Sequence, residues 1–266
     1  MRFVLHFMSR LAFESVRKVF RHRPALFNWF GQERSGETIA LKDVSFSAER
    51  AEILVLLGPN GSGKTTALKL ISTILLPDAG FVRVGGFDAR RNAADVRRQV
   101  GIAVATERSF FPRLSARENL DFFAALDEVP RSERQQRITQ VLNETGLEEG
   151  SDTLVVKFSS GMYQRLGIAR ALVKRPRVLL LDEPTRSLDA GTTAHFWMTI
   201  RTLARQDTTV LLATHNFAEA AAVADRVLLL HDGELLADRP IHKGENADAL
   251  RAFYFHTTGE IDEKDL

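Results

Sequence analysis

The sequence predicts an α/β fold: a parallel β-sheet flanked by helices, with an antiparallel β part before it and a helical subdomain within it. Three observations support this prediction. Short apolar runs such as Val178–Leu181 alternate with helical segments. Two strand-like segments, residues 11–20 and 40–48, precede the first helix. The stretch from Ser115 to Lys174 has helical periodicity and no clear strand pattern. With 44% hydrophobic residues, the chain can build a substantial core.

The element boundaries follow from apolar spacing and from turn residues. Strands are predicted at residues 11–20, 40–48, 53–57, 81–86, 100–105, 178–181, 209–214 and 227–230. A first helix is expected to end at Pro77–Gly80, and further helices are predicted at 115–126, 132–145, 160–174, 190–206, 217–224 and 247–254. We interpret this as one domain, 1–266: a β/α core (11–112 and 176–240), a helical subdomain (113–175) and a C-terminal extension (241–266). Residues 21–38 are predicted to be an insertion.

The glycine-rich loop at residues 58–66 is the strongest functional signal. It follows the apolar run Ile53–Leu57, precedes a helical segment, and matches the phosphate-binding pattern G-x-x-x-x-G-K-[ST]. Such a loop aims several backbone N–H groups and the positive end of a helix into one concavity, where a polyphosphate can sit. A glycine-rich turn between strand and helix is the plain alternative, but the flanking elements favour a nucleoside triphosphate site.

The loop residues have separate predicted roles. Lys64 is expected to reach the β- and γ-phosphates, and the Thr65 hydroxyl to bind Mg²⁺. Glycines allow backbone with positive φ and a close approach to the phosphates. The predicted nucleotide-binding residues of the loop are Gly58, Asn60, Gly61, Ser62, Gly63, Lys64, Thr65 and Thr66.

Asp182 and Glu183 end the apolar strand at 178–181, which resembles a Walker B element. The carboxyl end of a strand beside the phosphate loop is where Mg²⁺ must be held. Asp182 is therefore a predicted metal residue, and Glu183 is the predicted general base for an attacking water. Two adjacent acids are otherwise ordinary turn formers.

The segment Phe158-Ser159-Ser160-Gly161-Met162-Tyr163-Gln164-Arg165 resembles the signature of the ATP-binding-cassette (ABC) family, Leu-Ser-Gly-Gly-Gln followed by Gln-Arg. Ser159 and Gly161 match the signature, whereas Ser160 and Met162 depart from it. A helix N-cap alone would also explain Ser159. Ser187-Leu188-Asp189 is similar to the family's D-loop, and His215, after the strand at 209–214, is similar to its switch histidine.

The resemblance implies an ATPase with an ATP- and Mg²⁺-binding P-loop NTPase (RecA-like) core. It also implies a head-to-tail dimer, of two copies or of two different ATPase subunits, in which Ser159 and Gly161 close over phosphates bound by Lys64 of the other protomer. Glu183 and His215 are the implied catalytic residues. Within the family, the chain looks most like exporter ATPases, and the implied partners are integral-membrane transporter subunits.

Two family features are less clear in this sequence. The glutamine expected after the strand at 100–105 is absent, and Glu107 or Thr106 is the candidate replacement. The aromatic residue that stacks on adenine is assigned to Phe20, with Trp29 and Phe30 as rivals, and the alternative for each is a place in the core.

Composition limits the remaining classes of function. A net charge of only +2 gives no case for nucleic-acid binding, and the absence of cysteine excludes disulfides and cysteine metal sites. No apolar run reaches 18 residues, so the chain is not expected to span a membrane, and the absence of cysteine fits a cytosolic protein. The family resemblance implies that membrane subunits hold it at the cytoplasmic face of the membrane. A soluble cassette ATPase acting on ribosomes or DNA is the alternative. The resemblance also implies a groove that receives a cytoplasmic helix of the membrane subunit, and in this sequence Phe110, Phe111 and Pro112 would edge it. The alternative is that both phenylalanines are core residues.

Overall fold

The computed structural model describes residues 9–21, 36–104 and 109–260. Its elements, in chain order, are β1 (Leu11–Arg21), β2 (Glu37–Ala48), β3 (Ile53–Leu57), α1 (Lys64–Ile71), β4 (Ala79–Val84), β5 (Phe87–Asp88), α2 (Ala93–Gln99), β6 (Val100–Val104), α3 (Ala116–Leu126), α4 (Arg131–Glu144), α5 (Ser160–Leu172), β7 (Val178–Asp182), α6 (Ala190–Arg205), β8 (Thr209–Thr214), α7 (Phe217–Val223), β9 (Arg226–His231), β10 (Glu234–Pro240) and α8 (Ala247–Thr258).

A six-stranded sheet forms the centre of the molecule, in the order β10-β9-β3-β8-β7-β6. All its pairs are parallel except β9–β10. Every residue of β3, β7 and β8 is buried, as expected for parallel strands covered on both faces. Because these strands run the same way, the residues that follow them meet at one edge of the sheet.

The two faces of the sheet carry two separate hydrophobic clusters. Alternate residues of β3 belong to each: Leu54 and Leu56 pack towards α1 and the small sheet, while Val55 packs towards the helical part. The small sheet is antiparallel, in the order β2-β1-β4-β5. Its inward side chains close the cluster around α1, which places β2 beside the loop that follows β3.

The helical part is formed by α3, α4 and α5. A capping box begins α3: the Ser115 hydroxyl accepts from the Glu118 N–H, and the Glu118 carboxylate accepts from the Ser115 N–H. The contact of α5 with β6 is close, since a Cβ on Gly101 would lie 2.3 Å from the carbonyl oxygen of Ala171. The helices predicted at 115–126, 132–145 and 160–174 are confirmed to within two residues.

The structure differs from the sequence prediction at the ends of several helices and strands. The helix expected to continue to Pro77 ends at Ile71, because Thr73 adopts a positive φ of 63°. The short elements β5, α2 and β10 were not predicted, and α8 continues to Thr258. None of the helices in the described ranges has the length and apolarity needed to span a bilayer.

Candidate nucleotide site

The loop between β3 and α1 is pressed tightly against its neighbours. Gly63 has φ +106°, and a Cβ there would lie 2.5 Å from the carbonyl oxygen of Ala40. A Cβ on Gly58 would lie 2.0 Å from the carbonyl oxygen of Leu230. These two glycines therefore bring the loop against β2 and β9, a position that a side chain would prevent.

The first turn of α1 keeps its backbone donors free of any side-chain cap. Gly63 is the N-cap residue and makes no side-chain hydrogen bond, and no acidic residue lies in the first turn. The N–H groups that open a helix have no intrahelical partner. Together with the positive end of the helix, they suit an anionic group such as a phosphate.

Lys64 is almost fully buried inside this loop. Its Nζ donates to the carbonyl oxygens of Gly58 (2.7 Å) and Pro59 (2.8 Å). Burial lowers the pKa of Lys64, while the charges of Glu183 and Asp182 oppose that shift. Two carbonyl oxygens thus hold the ammonium group at the loop, and the charges of two carboxylates favour its ionised form.

Thr65 and Asp182 join the loop to the end of β7. The Thr65 Oγ1 donates to the Asp182 Oδ2 at 2.8 Å, and Asp182 is buried. Burial raises the pKa of Asp182, against the opposing effect of the Thr65 hydrogen bond. A hydroxyl and a carboxylate oxygen are hard ligands of the kind that Mg²⁺ prefers, so this pair fits the ion.

Glu183 is held in an unusual backbone conformation at the end of β7. Its φ is +48°, and its N–H donates to the carbonyl oxygen of Ala213 at 2.9 Å. Both carboxylate oxygens are engaged: Oε1 lies 2.8 Å from the His215 Nδ1, and Oε2 accepts from the Thr214 Oγ1 at 3.5 Å. A positive φ in a non-glycine residue persists only where the surroundings impose it.

Lys64, Thr65, Asp182 and Glu183 line one cavity of about 300 Å³, whereas His215 and Thr214, which contact Glu183, are not among its lining residues. The residues around it are Thr38, Ile39, Ala40, Asn60, Gly61, Gly63, Lys64, Thr65, Thr66, Asp182, Glu183 and Arg186. Most of them are predicted loop and Walker B residues. Gly58 and Ser62 support the loop without lining the cavity, and Ser62 is buried with no hydrogen-bond partner for its Oγ among the described residues.

Four lining residues were not predicted from the sequence. Thr38, Ile39 and Ala40 come from β2, and Arg186 follows Glu183 by three positions. The β2 residues carry no motif, because they reach the cavity only through the close contact between β2 and Gly63. In the sequence Arg186 directly precedes the D-loop-like segment, and its positive charge could have indicated a place near the phosphates.

Ser159 and Gly161 lie elsewhere, at the start of α5, and neither lines this cavity. The Ser159 hydroxyl accepts from the Met162 N–H at 3.2 Å, so Ser159 is the N-cap residue of α5, the alternative role given for it above. Gly161 lies against the D-loop-like segment, since a Cβ there would be 3.0 Å from the carbonyl oxygen of Ser187.

Other predicted residues are away from the cavity or outside the described ranges. Phe20 lies on β1 directly opposite Thr38, but it is not among the lining residues. The Lys18 Nζ lies 5.7 Å from the centre of its ring. Glu107 and Thr106, and the rival aromatics Trp29 and Phe30, fall outside the residues that the structure describes.

The family described as "ABC transporter" matches residues 41–186. The chain is 34% identical over 226 residues to the ABC transporter ATP-binding protein NatA of Bacillus subtilis (strain 168), covering 84% of this chain and 92% of NatA. It is 36% identical over 206 residues to the doxorubicin resistance ATP-binding protein DrrA of Mycobacterium tuberculosis (strain H37Rv), covering 76% of this chain and 61% of DrrA.

Solved structures share the fold. The dimeric structure of MJ0796, described as a bacterial ABC transporter cassette, is 26% identical with a TM-score of 0.76, covering 88% of this chain and 99% of that one. A dimeric post-hydrolysis state of MJ0796 bound to ADP and Pi has a TM-score of 0.74 at 26% identity, with the same coverage. The family match and these relatives show that the chain belongs to the ABC transporter family, as one of its ATP-binding ATPases.

Proposed function

We propose that the chain is the ATP-hydrolysing subunit of an ABC exporter and drives transport through separate membrane subunits at the cytoplasmic face of the membrane. The observation that carries this proposal is that His215 and Thr214 each contact one carboxylate oxygen of Glu183, near Lys64. A carboxylate fixed at both oxygens next to a phosphate-binding cation is placed to act on a water, not merely to close a turn.

In this proposal the loop and Lys64 bind the β- and γ-phosphates of ATP. The N–H groups at the start of α1 and the Lys64 ammonium supply fixed positive charge where negative charge develops. Thr65 and Asp182 hold Mg²⁺, which neutralises charge on the β- and γ-phosphate oxygens when it is bound. The Thr65–Asp182 hydrogen bond already brings these two oxygens together.

Glu183 is the proposed general base. Its carboxylate accepts a proton from the attacking water, and His215 orients it: the Nδ1–H of the imidazole donates to the Glu183 Oε1. The strained backbone at Glu183 supports a fixed orientation of this side chain.

The proposed working unit is a head-to-tail dimer, with a second copy or with another ATPase subunit. Ser159 and Gly161 lie at a helix N-terminus but outside the chain's own cavity, so their phosphate contacts belong to a neighbouring protomer's nucleotide. The dimeric cassette among the solved relatives supports this arrangement.

The export direction rests on the relatives. DrrA is named for doxorubicin resistance, and LnrL of Bacillus subtilis, 34% identical over 76% of this chain and 65% of LnrL, for linearmycin resistance. Removal of a drug from the cell is a transport task. None of the relatives described above is named for ribosomes or DNA, which favours the transporter over the soluble alternative.

The proposed docking surface for the membrane subunit is the Phe111–Phe122 patch, defined by these two side chains. They are 43% and 44% exposed, and their ring centres are 4.8 Å apart. The expectation that Phe110 edges this groove is wrong, because Phe110 is buried against Phe123 and Tyr163. An exposed aromatic pair on the helical part suits the apolar face of a cytoplasmic helix of the membrane subunit.

The substitution Glu183→Gln tests the proposed reaction. It should keep ATP binding and dimer closure but lower turnover by roughly 10²–10⁴-fold, because the water loses its base while the phosphate contacts persist. Lys64→Ala should instead weaken ATP binding itself. Turnover of Glu183→Gln within about threefold of the unchanged chain would remove Glu183 from this role.

A further inference from the structure

A second cavity, of about 220 Å³, lies at the opposite edge of the central sheet from the nucleotide site. Its lining comes from α4, from the last turns of α5 and α6, and from the segments that lead into β7 and β8, residues 173–177 and 206–208. Because β7 and β8 are parallel, these segments meet at the amino ends of both strands, whereas Asp182 and Thr214 end them at the other edge. No residue lines both cavities, so this one is separate from the nucleotide site.

The inner wall of this cavity is apolar. Val141, Leu172 and Val173 belong to its lining and are almost fully buried. Pro176 and Leu203 complete the apolar part of the lining. An apolar cavity of about 150 Å³ is enough to bind benzene. The space here is therefore sufficient for one six-membered ring that carries a small substituent.

Arg177 supplies a positive charge at the rim of the cavity. Its backbone is fixed between two strands: the N–H donates to the carbonyl oxygen of Gln99 at 2.9 Å, and the carbonyl oxygen accepts from the Thr209 N–H at 3.0 Å. The residue is exposed, and its side chain makes no hydrogen bond or ion pair with any residue that the structure describes. A guanidinium group on a fixed backbone can bind a carboxylate through two parallel N–H bonds.

Two other charged residues of the lining are already matched by opposite charges. The Arg137 guanidinium donates to the Glu133 carboxylate, which lies outside the lining. The Asp207 carboxylate accepts from both Arg10 and Arg50. Neither Arg137 nor Asp207 therefore decides the sign of a ligand's charge.

The remaining charges, Arg175 and Glu144, offset each other through the side-chain amide of Gln140. Arg175 donates to the Gln140 Oε1 at 3.2 Å, and the Gln140 Nε2 donates to the Glu144 Oε1 at 2.8 Å. Arg177 is left as the unmatched charge of the lining. Each segment that leads into a strand also contains a non-glycine residue with positive φ, Arg175 at 53° and Asp207 at 75°. Such conformations persist only where the surroundings impose them, and they are common at ligand sites.

We propose that this cavity binds a small organic anion: a single ring lies against the apolar wall, and its carboxylate pairs with Arg177. The apolar wall alone would accept a neutral ring equally well, and the rim charge alone would accept an inorganic anion. A ligand with both groups satisfies the two parts of the lining at once. This site is additional to the proposed ATP hydrolysis and does not depend on it.

The test compares the binding of three ligands to the unchanged full chain. Benzoate has the ring and the charge, benzamide has the ring without the charge, and inorganic phosphate has the charge without the ring. Saturating ADP keeps these anions out of the nucleotide cavity. Methyl NMR spectra should show that benzoate shifts the signals of Leu172, Val173 and Leu203. Benzoate should bind roughly 3- to 10-fold more tightly than either of the other two ligands.

The substitution Arg177→Gln should lower the affinity for benzoate by roughly 3- to 10-fold, to that for benzamide, and leave benzamide binding unchanged. Its control is Arg131→Gln, which removes the same charge from an exposed site of α4 outside the lining. Benzoate that binds no more tightly than benzamide or phosphate, that leaves these three methyl signals in place, or that binds Arg177→Gln with full affinity would overturn the inference. The comparison of ligands needs no variant, so it decides the question even if Arg177→Gln does not fold.

Discussion

The Gln164 Nε2 donates to the backbone carbonyl oxygen of Glu183 at 2.8 Å. Gln164 belongs to α5, the helix that begins directly after Ser159, and Glu183 carries the strained backbone at the end of β7. One hydrogen bond therefore joins the helix of the signature-like motif to the proposed base. Any movement of α5 relative to the sheet, such as on closure of a dimer, acts directly on the peptide of Glu183.

Removing this bond should slow hydrolysis without weakening nucleotide binding. For Gln164→Ala we expect a fall in kcat of roughly 3- to 10-fold at unchanged ATP affinity, because only the orientation of Glu183 is affected. Steady-state ATPase assays and equilibrium binding of a fluorescent ATP analogue measure the two quantities. Gln140→Ala is the control, since Gln140 bonds only Glu144 and Arg175 among the described residues. Equal kcat in both variants would show that the bond has no role in hydrolysis.

Arg186 should favour ATP over ADP. Its side chain lines the nucleotide cavity beside Glu183, and no ion pair of Arg186 is seen among the described residues. A cation at the cavity attracts ATP more than ADP, because ATP carries more negative charge. We expect Arg186→Ser to weaken ATP binding by roughly 3- to 10-fold and ADP binding less, with the difference shrinking at high salt. Arg175→Ser, at an exposed site before β7, serves as the control. An equal loss for both nucleotides would contradict a phosphate-specific role.

The central strands and the phosphate loop were predictable from sequence because their signals are local. Ile53–Leu57 and Val178–Leu181 are short apolar runs that suit strands buried on both faces. The loop glycines and Lys64 stand in a fixed spacing that the phosphate contacts impose. The exact end of α1 was not predictable. Thr73, just after the helix, has a positive φ, and threonine is not a residue type that indicates this conformation.

The parts of the site that sequence reasoning missed depend on contacts between distant segments. Ile39 reaches the cavity because β2 packs against Gly63, and no local pattern records that contact.

Asp207 should make folding stability depend on acid pH. Its carboxylate accepts hydrogen bonds from Arg50 and from Arg10, and the Arg50 bond above all lowers the pKa of Asp207 to about 2 from 3.8. A lowered folded-state pKa contributes stability that is present above the unfolded value and is lost as the pH falls through the folded one. Asp207→Asn, which tolerates the same positive φ, should lower Tm at pH 7.

The Tm difference between the two proteins should stay constant from pH 7 to about 5 and narrow below about pH 4. Thermal unfolding across this range measures it. Asp152→Asn is the control: Asp152 is 85% exposed and pairs with Arg117 at 3.5 Å, so no comparable difference is expected. A Tm difference for Asp207→Asn that does not change with pH would assign its effect to packing and not to charge.

Substitutions at Phe111 and Phe110 should distinguish docking on the membrane subunit from folding of the chain. Phe111→Ser should leave the isolated chain folded and able to bind ATP, because Phe111 is 43% exposed, but should reduce co-purification with the membrane subunits and lower transport. Phe110→Ser should instead lower Tm strongly, since emptying a buried phenylalanine site costs about 3–5 kcal/mol. Circular dichroism, ATP binding and pull-down from solubilised membranes distinguish the two effects. A folded Phe111→Ser variant that still co-purifies fully would exclude the Phe111–Phe122 patch as the docking surface, and an unfolded one would place Phe111 in the core.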